Sequence, residues 1–214
     1  MSFLAREDIL AHVNNGELVV ANFNGDYLRQ ASYDLQLGQE LYIVGEVSPQ
    51  LLSDDEPYAR LQPGQFAVLT SHEMICIPEN MMAFISVRTK YKMQGLVNIS
   101  GFHVDPSFKG VLRFGVQNIG PTDIHIKFCE PTFTIFFAQL TPSRIGADRS
   151  QQDDVHFKQN LKGIRLEDVQ LLGGNNLTLS GLQKEIDHLR TLVNIYGAAA
   201  VSALVALILR LIFR

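Results

Sequence analysis

The chain of 214 residues has no tryptophan, only two cysteines and no excess of positive charge. Each shortage removes a class of protein. Cys76 and Cys129 stand alone, with no CxxC spacing and no nearby histidine pair, so neither a disulfide scaffold nor a structural zinc site is supported. The chain reads as cytosolic and reduced. Lysine and arginine number 18 against 22 aspartates and glutamates, a formal net charge of −4, whereas proteins that coat nucleic acid carry a basic excess. No nucleic-acid polymer is expected as a partner. The N-terminal stretch MSFLAREDILAHVNNGE places Arg6, Glu7 and Asp8 where a secretory signal needs an apolar core of roughly 7–15 residues, so no export is expected.

What is present is a globular composition, 46% hydrophobic and 19% charged, enough for one domain plus something extra. Residues 1–142 read mostly as strands. After a short amphipathic helix built on Ile9, Leu10 and Val13 and stopped at Asn15-Gly16, apolar residues alternate in short runs. Leu112, Phe114 and Val116 form one clean period-two stretch, and Ile124, Ile126 and Phe128 another, with Asp123, His125 and Lys127 on the opposite face. Phe133, Ile135 and Phe137 continue the pattern. Turn residues punctuate the runs at Asn24-Gly25, Pro63-Gly64 and Gly120-Pro121, which predicts an antiparallel sandwich or a jelly-roll-like barrel. Residues 143–178 lose the alternation and read as a surface excursion or linker.

The C-terminal segment points elsewhere. Leu179, Leu182, Ile186, Leu189, Val193 and Tyr196 are spaced 3, 4, 3, 4 and 3 apart, the a/d alternation of a coiled-coil seam. An amphipathic helix at 179–190 lying on its own domain is the alternative. Between Arg190 and Arg210 lie 19 residues without charge, just enough to cross a bilayer core of about 30 Å. Residues 191–213 are therefore expected to be a single-pass membrane anchor rich in small residues, leaving the globular domain cytoplasmic. A buried helix of the globular domain is the other reading.

The order of short segments ILAHVNNGELVV, ASYDLQLG, LQPGQFAVLTSHEMICIPENMMAFISVRTKYKMQGL, HVDPSFKGVLRFGVQNIGP and EPTFTIFFAQL resembles the dCTP deaminase and trimeric dUTPase superfamily over residues 9–140. The resemblance implies a mainly β fold, a distorted jelly-roll β-barrel of the dUTPase type. It also implies a homotrimer with active sites at subunit boundaries and a deoxynucleotide of the dCTP or dUTP class as ligand. Mg²⁺ would accompany a triphosphate, although no residue is assignable as its ligand.

The resemblance carries over unevenly. Ala31-Ser32-Tyr33-Asp34-Leu35 matches a first motif of mainly structural role, which makes Asp34 a buried hydrogen-bonding carboxylate. Arg88 through Leu96 fits the phosphate-contacting stretch Arg-Ser-Ser-x-x-Arg-x-Gly without a gap. Arg88 and Gly95 match and Thr89 keeps a hydroxyl, while the second serine is Lys90 and the later arginine is Met93. Methionine offers none of the planar donors with which arginine clamps phosphate. Lys90 and Lys92 supply charge in its place or are solvated lysines. His103 to Gly110 matches the stretch that cradles deoxyribose and base. Asp105 stands where the family keeps the carboxylate that holds the sugar 3′-hydroxyl and orients water, with Phe108 under the sugar and Lys109 beside it. Asp105-Pro106 is equally a turn former.

Ten residues after Asp105, where the deaminases of this family place their general-base glutamate, stands Gly115. Glycine cannot accept a proton. No HxE with PCxxC suggests zinc-dependent deamination instead. Glu73, Glu79, Glu130 and Arg113 are substitutes only by proximity in sequence. Three functions are thus expected in descending order. The first is a membrane-anchored, catalytically degenerate deoxynucleotide binder with a sensing or effector role, of a kind suited to a bacterial stress or antiviral response. The second is an active tethered dCTP deaminase or dUTP pyrophosphatase, with Asp105 catalytic. The third is a ligand-free structural trimer.

Overall fold

The computed structural model describes residues 2–141, 164 and 179–212. Apart from Ile164, the linker expected at 143–178 lies outside the described residues. The chain divides into two compact units, Met1–Asn176 and Leu177–Arg214.

The first unit is mainly β, as the alternation predicts. Its strands are β1 (Ser2–Phe3), β2 (Leu18–Ala21), β3 (Tyr33–Ile43), β4 (Gln50–Leu51), β5 (Tyr58–Leu61), β6 (Phe66–Cys76), β7 (Met81–Val87), β8 (Leu96–Ser100), β9 (His103–Val104), β10 (Lys109–Asn118), β11 (Ile124–Lys127) and β12 (Pro131–Gln139). Helix α1 (Arg6–Asn14) precedes β2 and the single turn α2 (Thr89–Lys92) joins β7 to β8. The main sheet runs β8-β10-β6-β3-β12-β7-β9, with β1 added on β12, β2 on β6 and β4 on β3, while β5 and β11 pair separately. All described pairings are antiparallel.

This sheet curls into a half-barrel, a coarser form of the distorted jelly-roll β-barrel that was expected. The curl is visible in one contact. Strands β10 and β12 are separated by β6 and β3 in the ladder, yet Phe114 and Phe133 stack with ring centroids 3.8 Å apart. Both are completely buried, among inward residues Leu35, Leu37, Leu69, Val116, Ile135 and Phe137. The alternation expected on β11 is observed, with Ile124 and Ile126 buried and His125 and Lys127 exposed. Where the β6–β10 register slips between Val111 and Arg113, Ser71 repairs the ladder: its Oγ accepts from the Leu112 N–H at 2.9 Å and donates to the Glu73 carbonyl at 2.8 Å.

Beside that slip lies a buried carboxylate. Glu73 on β6 has no exposed surface, and its oxygens accept from the Gln36 N–H, 3.1 Å from each, and from the Tyr33 hydroxyl at 3.2 Å. Burial outweighs these hydrogen bonds and pushes the Glu73 carboxyl up to about 7.

The second unit corrects the membrane reading of residues 191–213. It is one helix, α3 (Leu179–Ile212), and among the described residues no helix is long and apolar enough to cross a membrane. The physical reason lies in the described turns. Glu185, Asp187, His188 and Arg190 open them, and Thr191, Asn194, Gly197, Ala198, Ala199, Ala200 and Ser202 follow, polar or small residues that bury little apolar surface. The single-pass tail anchor is withdrawn, and with it the membrane as a partner and the placement that rested on it.

Two outcomes test this account of the core. Phe133→Ala removes the ring that joins the two arms of the curl and is expected to lower unfolding free energy by about 3–5 kcal/mol in urea titrations. Glu73 binds its proton more tightly folded than unfolded, so its contribution to stability is greatest at acid pH and is lost as pH rises to about 7. Its loss amounts to about 2 to 3 kcal/mol between pH 5 and pH 8. Glu73→Gln is expected to abolish this slope, leaving the opposite trend of half-buried His72, whose pKa burial lowers.

Candidate functional site

The outward face of β3, β12 and β7 carries a polar row. Thr134 on β12 is the register partner of Asp34 on β3 and of Ser86 on β7. The alternation that buries Phe133 and Ile135 turns Thr134 outward, and Asp34 follows from the same logic. The Thr134 hydroxyl donates to Asp34 Oδ1 at 2.8 Å. Two arginines converge on the other oxygen: Arg29 Nε donates to Asp34 Oδ2 at 2.8 Å, and Arg88 Nη2 lies 3.6 Å from it. Asp34 is therefore a buried hydrogen-bonding carboxylate, 5% exposed, beneath guanidinium groups that are 49% and 35% exposed. Two cations on one anion leave one excess positive charge and several outward N–H donors.

Arg88 caps the first turn of α2, and the following residues extend the cluster. Thr89 and Lys90 are exposed. Lys90 Nζ pairs with Glu130 and lies 5.0 Å from the Tyr91 ring centroid, while Lys92 Nζ donates to Ser86 Oγ at 2.7 Å. These lysines are thus held at the sheet surface by partners. Burial raises the Glu130 carboxyl, but hydrogen bonds from Lys90 and Tyr91 and the Lys90 charge hold it below its ordinary value. Gly95 ends the segment with φ +99°, and a Cβ there would lie 2.4 Å from the Gly120 nitrogen, so only glycine fits. Met93, at the position of the family's second arginine, is 83% exposed.

The Asp105 loop lies elsewhere. β9 pairs with β7 through Val104↔Ala83 and His103↔Phe84, which carries Asp105 toward the Met82 end of β7. Arg88 follows Val87 at the opposite end. Six strand residues at about 3.3 Å each separate the two by about 20 Å. Asp105 is 78% exposed, with His103 Nε2 3.6 Å from Oδ1. Its carbonyl accepts from the Phe108 N–H at 3.3 Å, so the Asp-Pro turn is present, with Ser107 at φ 65°. Phe108 is half-buried against the core, and Lys109 is exposed where β10 begins. Within one chain, then, the residues expected to contact phosphate cluster together, but Asp105, Phe108 and Lys109 do not join them.

At Gly115 a side chain would meet a neighbouring hydroxyl and the edge of a ring. A Cβ would lie 2.4 Å from Ser100 Oγ and 3.2 Å from the Phe66 ring. Of the substitutes, Glu73 is sealed in the core and Glu130 is tied to Lys90. Sequence reading missed Arg29, Ser86 and Thr134. Period-two alternation carried a signal for the last two, since both fall outward beside Asp34, whereas Arg29 sits in a turn that no periodicity addresses. Among the described residues no group of three or more His, Cys, Asp or Glu side chains could hold a metal ion.

Comparison with known proteins places this geometry. A family model described as dCTP deaminase-like matches residues 3–140. The "dCTP deaminase, dUMP-forming" of Methanothermobacter thermautotrophicus is 24% identical over 197 residues, 78% of this chain and 100% of that protein. A "probable deoxyuridine 5′-triphosphate nucleotidohydrolase" of Sulfolobus islandicus rod-shaped virus 1 is 27% identical over 141 residues, 65% of this chain and 85% of that one. The crystal structure of the 2′-deoxycytidine 5′-triphosphate deaminase from Agrobacterium tumefaciens shares the fold at a TM-score of 0.55 and 19% identity, covering 63% of this chain. This chain spans about half, 47%, of that deaminase. With most of its β unit matched by the family model, the chain belongs to the dCTP deaminase-like family.

Proposed function

We propose that the protein binds a deoxynucleoside triphosphate of the dCTP or dUTP class without deaminating it, at sites completed between subunits of a homotrimer. The observation that carries the reading is Gly115 itself, set on β10 opposite Val68 and Ser100 with no side chain to accept a proton. A Cβ there would lie 2.4 Å from Ser100 Oγ, so that hydroxyl would have to turn aside for a larger group.

The binding half rests on the cluster around Asp34. Arg29, Arg88, Lys90 and Lys92 bring four positive charges against Asp34 and Glu130, a local excess in a chain whose net charge is −4. Arg29 supplies the planar donors that Met93 lacks, and Thr89 adds a hydroxyl. Asp34, buried and bridged, is a positioning residue that holds both guanidinium groups. Gly95 keeps the turn after α2 tight. Mg²⁺ would accompany a triphosphate and supply charge neutralisation there, and among the described residues no cluster of side chains would hold it.

The separation along β7 supports the trimer. A phosphate at Arg88 and a sugar at Asp105 are about 20 Å apart in one subunit, beyond the reach of one nucleotide. Arg88 of one subunit and Asp105 of a neighbour close that gap. Asp105 then holds the sugar hydroxyl, with Phe108 beneath the ring and Lys109 beside it. The role that follows is a sensor or effector whose signal is occupancy. An active enzyme is the alternative, and the relatives' names are what favour it.

A nucleotide panel decides between them. With Mg²⁺ present, dCTP or dUTP is expected to raise the melting temperature, as any ligand of the folded state does, and anion-exchange chromatography is expected to show no product. Arg29→Ala and Arg88→Ala are each expected to weaken binding about tenfold or more through loss of a charged hydrogen bond. Deaminated or hydrolysed product from the unaltered chain contradicts the proposal.

A further inference from the structure

Helix α3 has an apolar face that its own unit leaves uncovered. Ile186, Leu189, Val193 and Tyr196 are 44%, 59%, 69% and 69% exposed, and their spacing of 3, 4 and 3 puts them on one stripe. Four large apolar side chains in a row on a helix that buries none of them call for a partner surface of the same shape.

The charges beside the stripe specify which surface. With Ile186 and Val193 at a and Leu189 and Tyr196 at d, Glu185 falls at g and Arg190 at e. In parallel, in-register helices each g residue faces the e residue five positions further along its neighbour, so Glu185 meets Arg190 at every boundary between helices. In an antiparallel pair g flanks g and e flanks e, so no register joins Glu185 to Arg190. Arg190 reaches Asp187 of its own helix only at 3.8 Å and is 73% exposed, leaving donors for a second carboxylate. Of the other described charges, Asp187 lies at b, away from the seam, and Arg210 falls at d two heptads beyond Tyr196.

We infer that α3 docks on α3 of another copy of this chain, parallel and in register, through Ile186, Leu189, Val193 and Tyr196, with Glu185 and Arg190 fixing the orientation. Ala200 and Ala203 continue the a and d positions in sequence, where small residues let the backbones draw together. This interface does not depend on nucleotide binding.

The test is oxidative crosslinking of the full chain carrying one new cysteine. Parallel in-register helices bring identical a or d positions face to face, so Leu189→Cys and Ile186→Cys are expected to form a species of twice the chain mass. Thr191→Cys, at f, is expected to form at least about tenfold less, close to the unaltered chain with Cys76 and Cys129. Glu185→Arg in the Leu189→Cys chain is expected to cut crosslinking several-fold, and adding Arg190→Glu to restore it. Equal yields at 189 and 191, or no crosslink at either seam position, overturns the interface. A charge-swapped double variant as weak as the single one overturns the parallel orientation.

Discussion

The site depends on one buried carboxylate with two arginines on it. Asp34 belongs to the central strand β3, and through it β12, the turn bearing Arg29 and the end of β7 bearing Arg88 are held in one place. A carboxylate this buried is unfavourable unless its partners satisfy it, and Thr134 and Arg29 do so at 2.8 Å each. Those partners are what the surface presents to an anion. Remove the carboxylate, and two like charges are left adjacent without the group that orients them.

Much of the β unit was legible in the sequence, because alternation on a half-buried strand is a direct consequence of strand geometry. Ile124-His125-Ile126-Lys127 and the run from Phe133 to Phe137 read correctly for that reason, as did Asp34 as a buried carboxylate. The curl was not legible. That Phe114 and Phe133 stack across two intervening strands follows from tertiary closure, which no local pattern encodes. Arg29 was invisible for a related reason: its role comes from lying over Asp34, and a turn residue has no periodic signature.

The C-terminal segment shows the opposite failure. A run of 19 uncharged residues satisfied a length criterion, yet among the described residues no helix is long and apolar enough to cross a membrane. The finer signal was the spacing of Ile186, Leu189, Val193 and Tyr196. Such a stripe asks for a helix face, and Glu185 and Arg190 on its flanks set the direction of that face.

Under the proposed reading, Gly115 and Asp105 mark where the family fold is kept while one part of its chemistry is not. The strand bearing Gly115 lies in the ladder opposite Val68 and Ser100, with the Ser100 hydroxyl where a side chain would begin. Asp105 keeps its turn but sits at the far end of β7 from Arg88. The measurement that tests the central claim most directly is nucleotide binding by mixed oligomers of Arg88→Ala and Asp105→Ala chains. Each variant alone is expected to bind poorly, and mixed, refolded subunits are expected to recover binding, because some boundaries then pair an intact Arg88 with an intact Asp105. Mixtures that bind no better than either variant contradict a site shared between subunits.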